Sequence, residues 1–401
     1  MTDGVTISIK NNAELFSKQN KLFFFVPSKL KKLNIKNAKY IKLKTKDLKE
    51  YKGYQIRIPK FKKVYKELKK IKPDIVHIHS PSGIGLEGLV NARLLKIPVI
   101  ATSHTLFPEV TEEINLKGFE RTKIFKKMIW NYLVMFLNRC TGVITPSEAM
   151  KTELLNHKVT KPIYVISNGI DTKKFSYILR KNKEPVFIST GRLVESKHVD
   201  NTLKAFYYFK KNGGKGKLTI VGDGPNDKKL KDFVKRKKIS KDVKFLGFIK
   251  YDKIINAYKK SDVFVTSSTI ETEGISTLEA MSTGLPVIGV NARATPYLVK
   301  ENTGFIVPVN KPKKMAEKML ELSKNYSLRQ EFGKNATKEV KKYDLRKANK
   351  KLYKTYEKII ADYKLQKLKQ KEKKRIKKLY NIFKKILSKY KPTKQKKNKK
   401  T

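Results

Sequence analysis

The residues best able to do chemistry lie in Ser267–Gly284, SSTIETEGISTLEAMSTG. A short apolar run, Val263–Thr266, leads into a polar turn containing Gly274, and a helical pattern begins near Ile275. A helix that starts just past a strand offers free amides and the positive end of its dipole at the carboxyl edge of a sheet. Such a terminus suits an anionic phosphate. Glu271 and Glu279 flank this start with seven residues between them. The spacing allows both carboxylates to surround one ligand and accept hydrogen bonds from sugar hydroxyls. Taken alone, it reads more simply as a solvated pair of glutamates beside a capped helix.

A second segment, Val186–Lys197 (VFISTGRLVESK), repeats the plan with a strand, a turn at Gly191, then Arg192 and Lys197. Two cations past a strand end can neutralise a diphosphate without a metal. The chain has no Asp-x-Asp, a spacing often used to hold a divalent ion on a nucleotide diphosphate. By itself, one arginine and one lysine in so basic a chain means little. His104 follows the apolar run Pro98–Thr102 and would ordinarily be a buried structural histidine. His77 and His79 share one face of a strand, but no third ligand is evident, so no metal site is expected.

These segments need strands that end in loops at a common edge. Candidate strands are Leu22–Val26, Tyr54–Ile58, Asp74–His79, Pro98–Thr102, Gly142–Thr145 and Ile163–Ile166. A second set is Val186–Thr190, Lys217–Val221, Val243–Leu246, Val263–Thr266, Pro286–Val290 and Phe305–Val307. Amphipathic stretches such as Val64–Ile71, Ile124–Leu137, Leu203–Lys211, Ile254–Lys259 and Met315–Asn325 alternate with them. Alternation of this kind predicts parallel sheets covered by helices. The polar stretch Asn168–Glu184 separates the two sets and reads as a linker. The expected fold class is α/β, with two Rossmann-like domains facing across a cleft and a basic helical carboxy-terminal tail. A (β/α)₈ barrel is the alternative, but nothing in a barrel needs a mid-chain linker. The expected units are 1–167, 168–345, a helix over 346–363 returning to the first domain, and a basic amphipathic or disordered tail over 364–401.

The 401 residues carry 93 Lys and Arg against 35 Asp and Glu, a formal net charge of +58. A composition with 39% hydrophobic and 10% aromatic residues excludes a disordered chain despite that charge. No apolar run approaches the ~18–20 residues that span a bilayer. The start lacks the apolar core of a secretory signal. One cysteine, Cys140, excludes an intrachain disulfide and a cysteine-based zinc cluster. Much of the charge is a general lysine bias, concentrated further in Lys364–Thr401, where 18 basic residues meet the single acid Glu372. Leu379, Ile382, Phe383, Ile386, Leu387 and Tyr390 would lie on one helical face there, the pattern of a membrane-surface anchor or of a helix packed on the body.

GRLVESK, the glutamate pair in ETEGISTLEAMSTGLPVIG, VISNGID (Val165–Asp171) and TSHTLFP (Thr102–Pro108) together resemble the retaining nucleotide-sugar glycosyltransferases of the GT-B fold (group 1, family 4). DGVTISIKN at the start and HIHSPSGIG (His77–Gly85) are similar to enzymes that glycosylate membrane lipids, the diacylglycerol α-glucosyltransferases and phosphatidylinositol mannosyltransferases. The resemblance implies that Gly191, Arg192 and Lys197 hold the donor diphosphate, Glu279 the ribose and Glu271 the transferred sugar. Amides of Gly274, Ile275 and Ser276 would meet phosphate or sugar. His104 would face the sugar from the amino-terminal domain, and Asp3 and Gly4 would form an acceptor or phosphate loop. The family begins with an apolar strand before that loop, whereas here Met1 immediately precedes Thr2–Asp3–Gly4. That strand is therefore expected to be missing, which would unpair its two neighbours.

The implied activity is transfer of a hexose from a UDP- or GDP-sugar to a membrane lipid, with retention and without metal or other cofactor. The expected location is the inner face of the cell membrane, peripheral and cytoplasmic, with Lys117–Lys127 and Met128–Leu137 on an anionic surface. A soluble acceptor, a nucleotide-sugar 2-epimerase and a nucleic-acid-binding protein are the rivals. No recognisable nucleic-acid-binding motif supports the last, so no nucleic acid partner is expected.

Overall fold

The computed structural model describes residues 4–30, 35–47, 55–105 and 122–387. In the amino-terminal half, β1 (Leu22–Pro27) pairs in parallel with β2 (Ala38–Leu43). The short β3 (Lys46–Asp47) and β4 (Gln55–Ile56) form an antiparallel pair. A four-stranded parallel sheet follows in the order β5 (Val76–Ile78), β6 (Val99–Thr102), β7 (Gly142–Thr145) and β8 (Ile163–Val165). Every residue of β6 and β7 is buried, as parallel strands covered on both faces require. By contrast, all six residues of β1 are only half-buried. Among the described residues β1 pairs only with β2, and β5 only with β6. Among the described residues, these two sheet edges carry no further strand partner.

Gly4 does not belong to a loop: it is the first residue of the helix Gly4–Phe16, while Asp3 lies outside the described residues. Of the Lys117–Lys127 stretch, only the part from residue 122 is described, and from Lys123 it is the first turn of the helix Lys123–Leu137.

The carboxy-terminal half is one six-stranded parallel sheet. Its strands are β9 (Val186–Thr190), β10 (Lys217–Val221), β11 (Val243–Phe245), β12 (Val263–Val265), β13 (Val287–Val290) and β14 (Gly304–Val307). The spatial order is β11-β10-β9-β12-β13-β14. Chain direction across the sheet reverses between β9 and β12, the place where doubly wound sheets open a crevice at their carboxyl ends. The two chemistry-bearing segments are the loops that leave those two strands.

The stretch over 168–184 is not a free linker. Phe175 is fully buried, and buried Arg180 donates to the carbonyls of Ser261, Ile178 and Thr283. Gly169 (φ +75°) leaves no room for a Cβ, which would come 2.7 Å from Leu345 Cα. There Leu345 N donates to Ile170 O (2.8 Å), and the helix Leu345–Leu387 begins. Leu352 and Ile359 on this helix pack with Phe16, Ile100, Ile144 and Ile166 of the amino-terminal half. The helix runs unbroken past residue 364, and there Leu365, Leu368, Ile376, Leu379 and Ile382 stand exposed. Among the described residues no helix is long and apolar enough to cross a membrane.

Candidate active site

The loop after β9 is shaped by glycines on two strands. Gly191 has φ +152°, a value that side chains rarely adopt, although a Cβ there would meet nothing within 4 Å. Gly222 (φ +139°), just past β10, faces it so closely that a Cβ would come 1.8 Å from Gly191 O. At Gly224 a Cβ would come 2.5 Å from Leu193 O. Gly191 N donates to Val221 O (3.0 Å) and Leu193 N to Asp223 O (3.0 Å), so the V-G-D-G run at the end of β10 props the loop. In the sequence the only mark of this run is two glycines, Gly222 and Gly224, separated by one residue directly after a strand.

Arg192 stands exposed on that loop. Lys197 lies in the 3₁₀ turn Glu195–Lys197 and places its ammonium 2.5 Å from Glu271 Oε1. Burial alone would raise the Glu271 carboxyl, yet the Lys197 charge and hydrogen bond hold it below its ordinary range. The cation assigned to the diphosphate and the carboxylate assigned to the sugar therefore meet directly. Beside them the helix Ile275–Ser282 starts from Gly274, whose φ of +78° and 2.9 Å approach to Leu298 Cδ1 both disfavour a side chain. The first amide to close on this helix is that of Leu278, onto Gly274 O, so the Ile275 and Ser276 amides precede its hydrogen-bonded part.

Glu279 is not open beside Glu271. It is 4% exposed, and Tyr258 Oη donates to its Oε2 (3.1 Å) while accepting from Thr190 Oγ1 (3.0 Å) at the end of β9. Its Oε1 accepts no hydrogen bond of good geometry, although the Tyr251 hydroxyl acts on the same carboxyl. Burial pushes Glu279 up to about 7, against the opposing pull of the Tyr258 and Tyr251 hydroxyls and the Lys174 charge. The two glutamates are thus a half-buried, ion-paired group and a fully buried one, not two equal walls of a pocket.

His104 comes to this site from the other half. It is 9% exposed; its carbonyl accepts from Thr272 Oγ1 (2.7 Å) and its Nε2 lies 2.9 Å from His79 Nδ1. Ser147 Oγ donates to the carbonyl of Thr272 (2.5 Å), and Arg293 bonds Glu153 across the halves (2.7 Å). Buried Glu273 accepts from the Asn168 amide (3.0 Å), from Asn168 Nδ2 (2.5 Å) and from Ser167 Oγ, and Ser8 reaches Asn168 in turn. Burial raises Glu273 to about 7 despite these donors. Thr272 and Glu273 went unnoticed in the sequence, where a threonine and a third glutamate in one turn carry no spacing signal.

His104 stacks beside His79, which in turn lies against His77, but the three rings bond and stack on one another and on their neighbours rather than converging on a point. His77 Nδ1 bonds Tyr356 Oη (2.5 Å) and its Nε2 bonds Thr102 Oγ1 (2.6 Å). Among the described residues no group of His, Cys, Asp or Glu is disposed to hold a metal ion.

Two Rossmann-like halves, with the site at the switch point of the second and a loop of the first closing on it, define a glycosyltransferase of the GT-B class. Residues 2–174 match the Glycosyltransferase Family 4 model and residues 171–339 the model of Glycosyl transferases group 1; the chain belongs to this family. It is 33% identical over 284 residues to an alpha-monoglucosyldiacylglycerol synthase of Streptococcus pneumoniae, covering 63% of each chain. That alignment spans slightly less than two thirds of the relative's length. It is 27% identical over 311 residues to the enzyme of the same name from Acholeplasma laidlawii, covering 74% of this chain and 77% of that one. The structure of Anabaena HepE in complex with UDP-glucose superposes with a TM-score of 0.70 at 17% identity, over 89% of this chain and 97% of that one. At that identity the likeness speaks for the fold alone.

Proposed function

We propose that the protein transfers glucose from UDP-glucose to the hydroxyl of a membrane diacylglycerol, with retention of the anomeric configuration and without a metal ion. The observation that carries this reading is the convergence of Lys197, Glu271 and the Ile275 helix start at the β9–β12 switch point, closed from the other half by His104 through Thr272. A diphosphate entering here would draw Lys197 from Glu271, freeing the carboxylate for sugar hydroxyls. Arg192, Lys197 and the helix amides would stabilise the charge that develops on the leaving phosphate, commonly a large catalytic contribution. The acceptor oxygen bonds to the anomeric carbon on the face from which the diphosphate departs, and the departing β-phosphate takes the hydroxyl proton. The two cations do the work a metal would do, so EDTA should leave turnover unchanged.

The acceptor assignment draws on the names of the two synthases and on the surface. Ile124 and Met128 on the helix Lys123–Leu137 are 69% and 56% exposed, amid lysines. The protein would sit on the inner membrane face as a peripheral protein, held by such residues and by the basic tail. The test is the full-length protein with a panel of sugar nucleotides and liposomes with or without diacylglycerol, in excess EDTA, products read by mass spectrometry. A glucosylated diacylglycerol is expected. Donor consumption without a lipid product, or activity restored only by Mg²⁺ or Mn²⁺, would reject the proposal.

A further inference from the structure

His79 stands immediately after β5, its ring centroid 4.0 Å from that of His77. His77 is clamped between Thr102 on β6 and Tyr356 on the carboxy-terminal helix, so His79 has a rigid neighbour. His79 in turn stacks at 5.2 Å and 21° on His104 and shares the 2.9 Å Nδ1–Nε2 hydrogen bond with it. His104 is thus fixed at its carbonyl by Thr272 of the other domain and at its ring by His79.

The geometry points to His79 as a positioning residue for His104: one hydrogen bond sets the plane and the tautomer of the imidazole that faces the donor sugar. The inference rests on the function proposed above. Burial, and then the neighbouring His77 and His104, keep His79 well below its ordinary pKa, so its ring is neutral at pH 7. A hydrogen bond between two imidazoles has one donor and one acceptor, so when both rings are neutral it fixes both tautomers at once. If His104 Nε2–H donates to His79 Nδ1, both rings keep the Nε2–H form that free imidazole side chains favour. His104 then carries a lone pair on Nδ1. Loss of His79 would let the ring rotate and exchange tautomers, which costs productive geometry while leaving most donor contacts in place.

The experiment uses the full-length protein and three variants, His79→Leu, His79→Gln and His79→Asn. Asparagine places an amide oxygen near the lost Nδ1 and can accept the same bond; glutamine places its amide near Nε2 and cannot. Imidazole ¹⁵N spectra, assigned by comparison with His104→Gln, should show His104 neutral and protonated on Nε2 in the native protein and as a tautomer mixture in His79→Leu. Turnover with UDP-glucose should fall about 10-fold in His79→Leu with KM nearly unchanged, and return to within about 3-fold in His79→Asn. If leucine does not fold, glutamine answers the same question. Native ¹⁵N shifts for His104 and native kcat in the folded leucine or glutamine variant would overturn the inference. A native protein that transfers no sugar would instead reject the proposed function, and the spectra would still judge His79.

Discussion

The two halves use the same type of sheet to different degrees of completion. In the carboxy-terminal half six parallel strands form one sheet, and β12 and β13 are buried throughout. Among the described residues of the amino-terminal half the parallel strands stand as a pair and a quartet, and the apolar run Leu22–Pro27 is only half-buried. The groups assigned to the donor, apart from His104, all sit on the complete half, where loop geometry is fixed by close backbone approaches such as Gly222 against Gly191. The half assigned to the acceptor is the less consolidated one. A site that must stabilise charge gains from rigid dipoles, whereas a surface that receives a lipid can tolerate looser packing.

That contrast is open to direct attack. The largest effect should come from truncating matched aromatic residues. Phe187 in β9 is fully buried against Phe206 and Phe209, so Phe187→Ala should cost about 3–5 kcal/mol. Phe24 in β1 is half-buried and stacks on Tyr40 at 5.1 Å; Phe24→Ala should cost about 1–2 kcal/mol. Chemical denaturation of both variants measures the difference, and equal losses would dissolve the distinction between the halves.

A smaller effect should appear in pH dependence. Glu273 and Glu279 are both raised to about 7 by burial. A carboxyl raised in the folded state favours folding fully below its unfolded pKa, near 4.5, and loses that contribution as pH rises through about 7. Stability of the unliganded protein should therefore decline from pH 5 to 8. Glu279→Gln, neutral throughout, should remove on the order of 2 kcal/mol of that slope. Thermal melts across this range decide the point; an unchanged slope in the variant would mean that Glu279 is already ionised.

The smallest effect on the site should come from the tail. Deleting residues 364–401 removes exposed Leu365, Leu368, Ile376, Leu379 and Ile382 along with their lysines. Each lysine near an anionic surface contributes about 1 kcal/mol at most. Liposome flotation should weaken, more so at high salt, while UDP affinity stays within about 2-fold. A full-length protein that ignores anionic liposomes even at low salt would mark the charge as compositional.

Most of the strand order was legible because parallel strands buried on both faces read as apolar β-branched runs such as VFIST and PVIGV. The strand Ala38–Leu43 was not, since its lysines interrupt the alternation and only Leu43 is fully buried. Nor was the helix Gly4–Phe16, whose β-branched opening reads as extended chain. At the site, Lys197, Glu271 and His104 could be named from motif and placement, but their mutual geometry could not. The ion pair between Lys197 and Glu271, the burial of Glu279 under Tyr258 and the Thr272 bridge all join residues distant in sequence.

The claim on which the rest depends is that the Gly191 loop and the Glu271–Ser276 turn form a metal-independent cradle for a nucleoside diphosphate. Isothermal titration of UDP into the full-length protein in excess EDTA tests it most directly, with Arg192→Ala and Lys197→Ala measured alongside. Saturable binding to the native protein is expected, at least 10-fold weaker in each variant, with a loss of turnover of about 10²-fold. Binding that needs Mg²⁺, or that is equally tight in both folded variants, would contradict it.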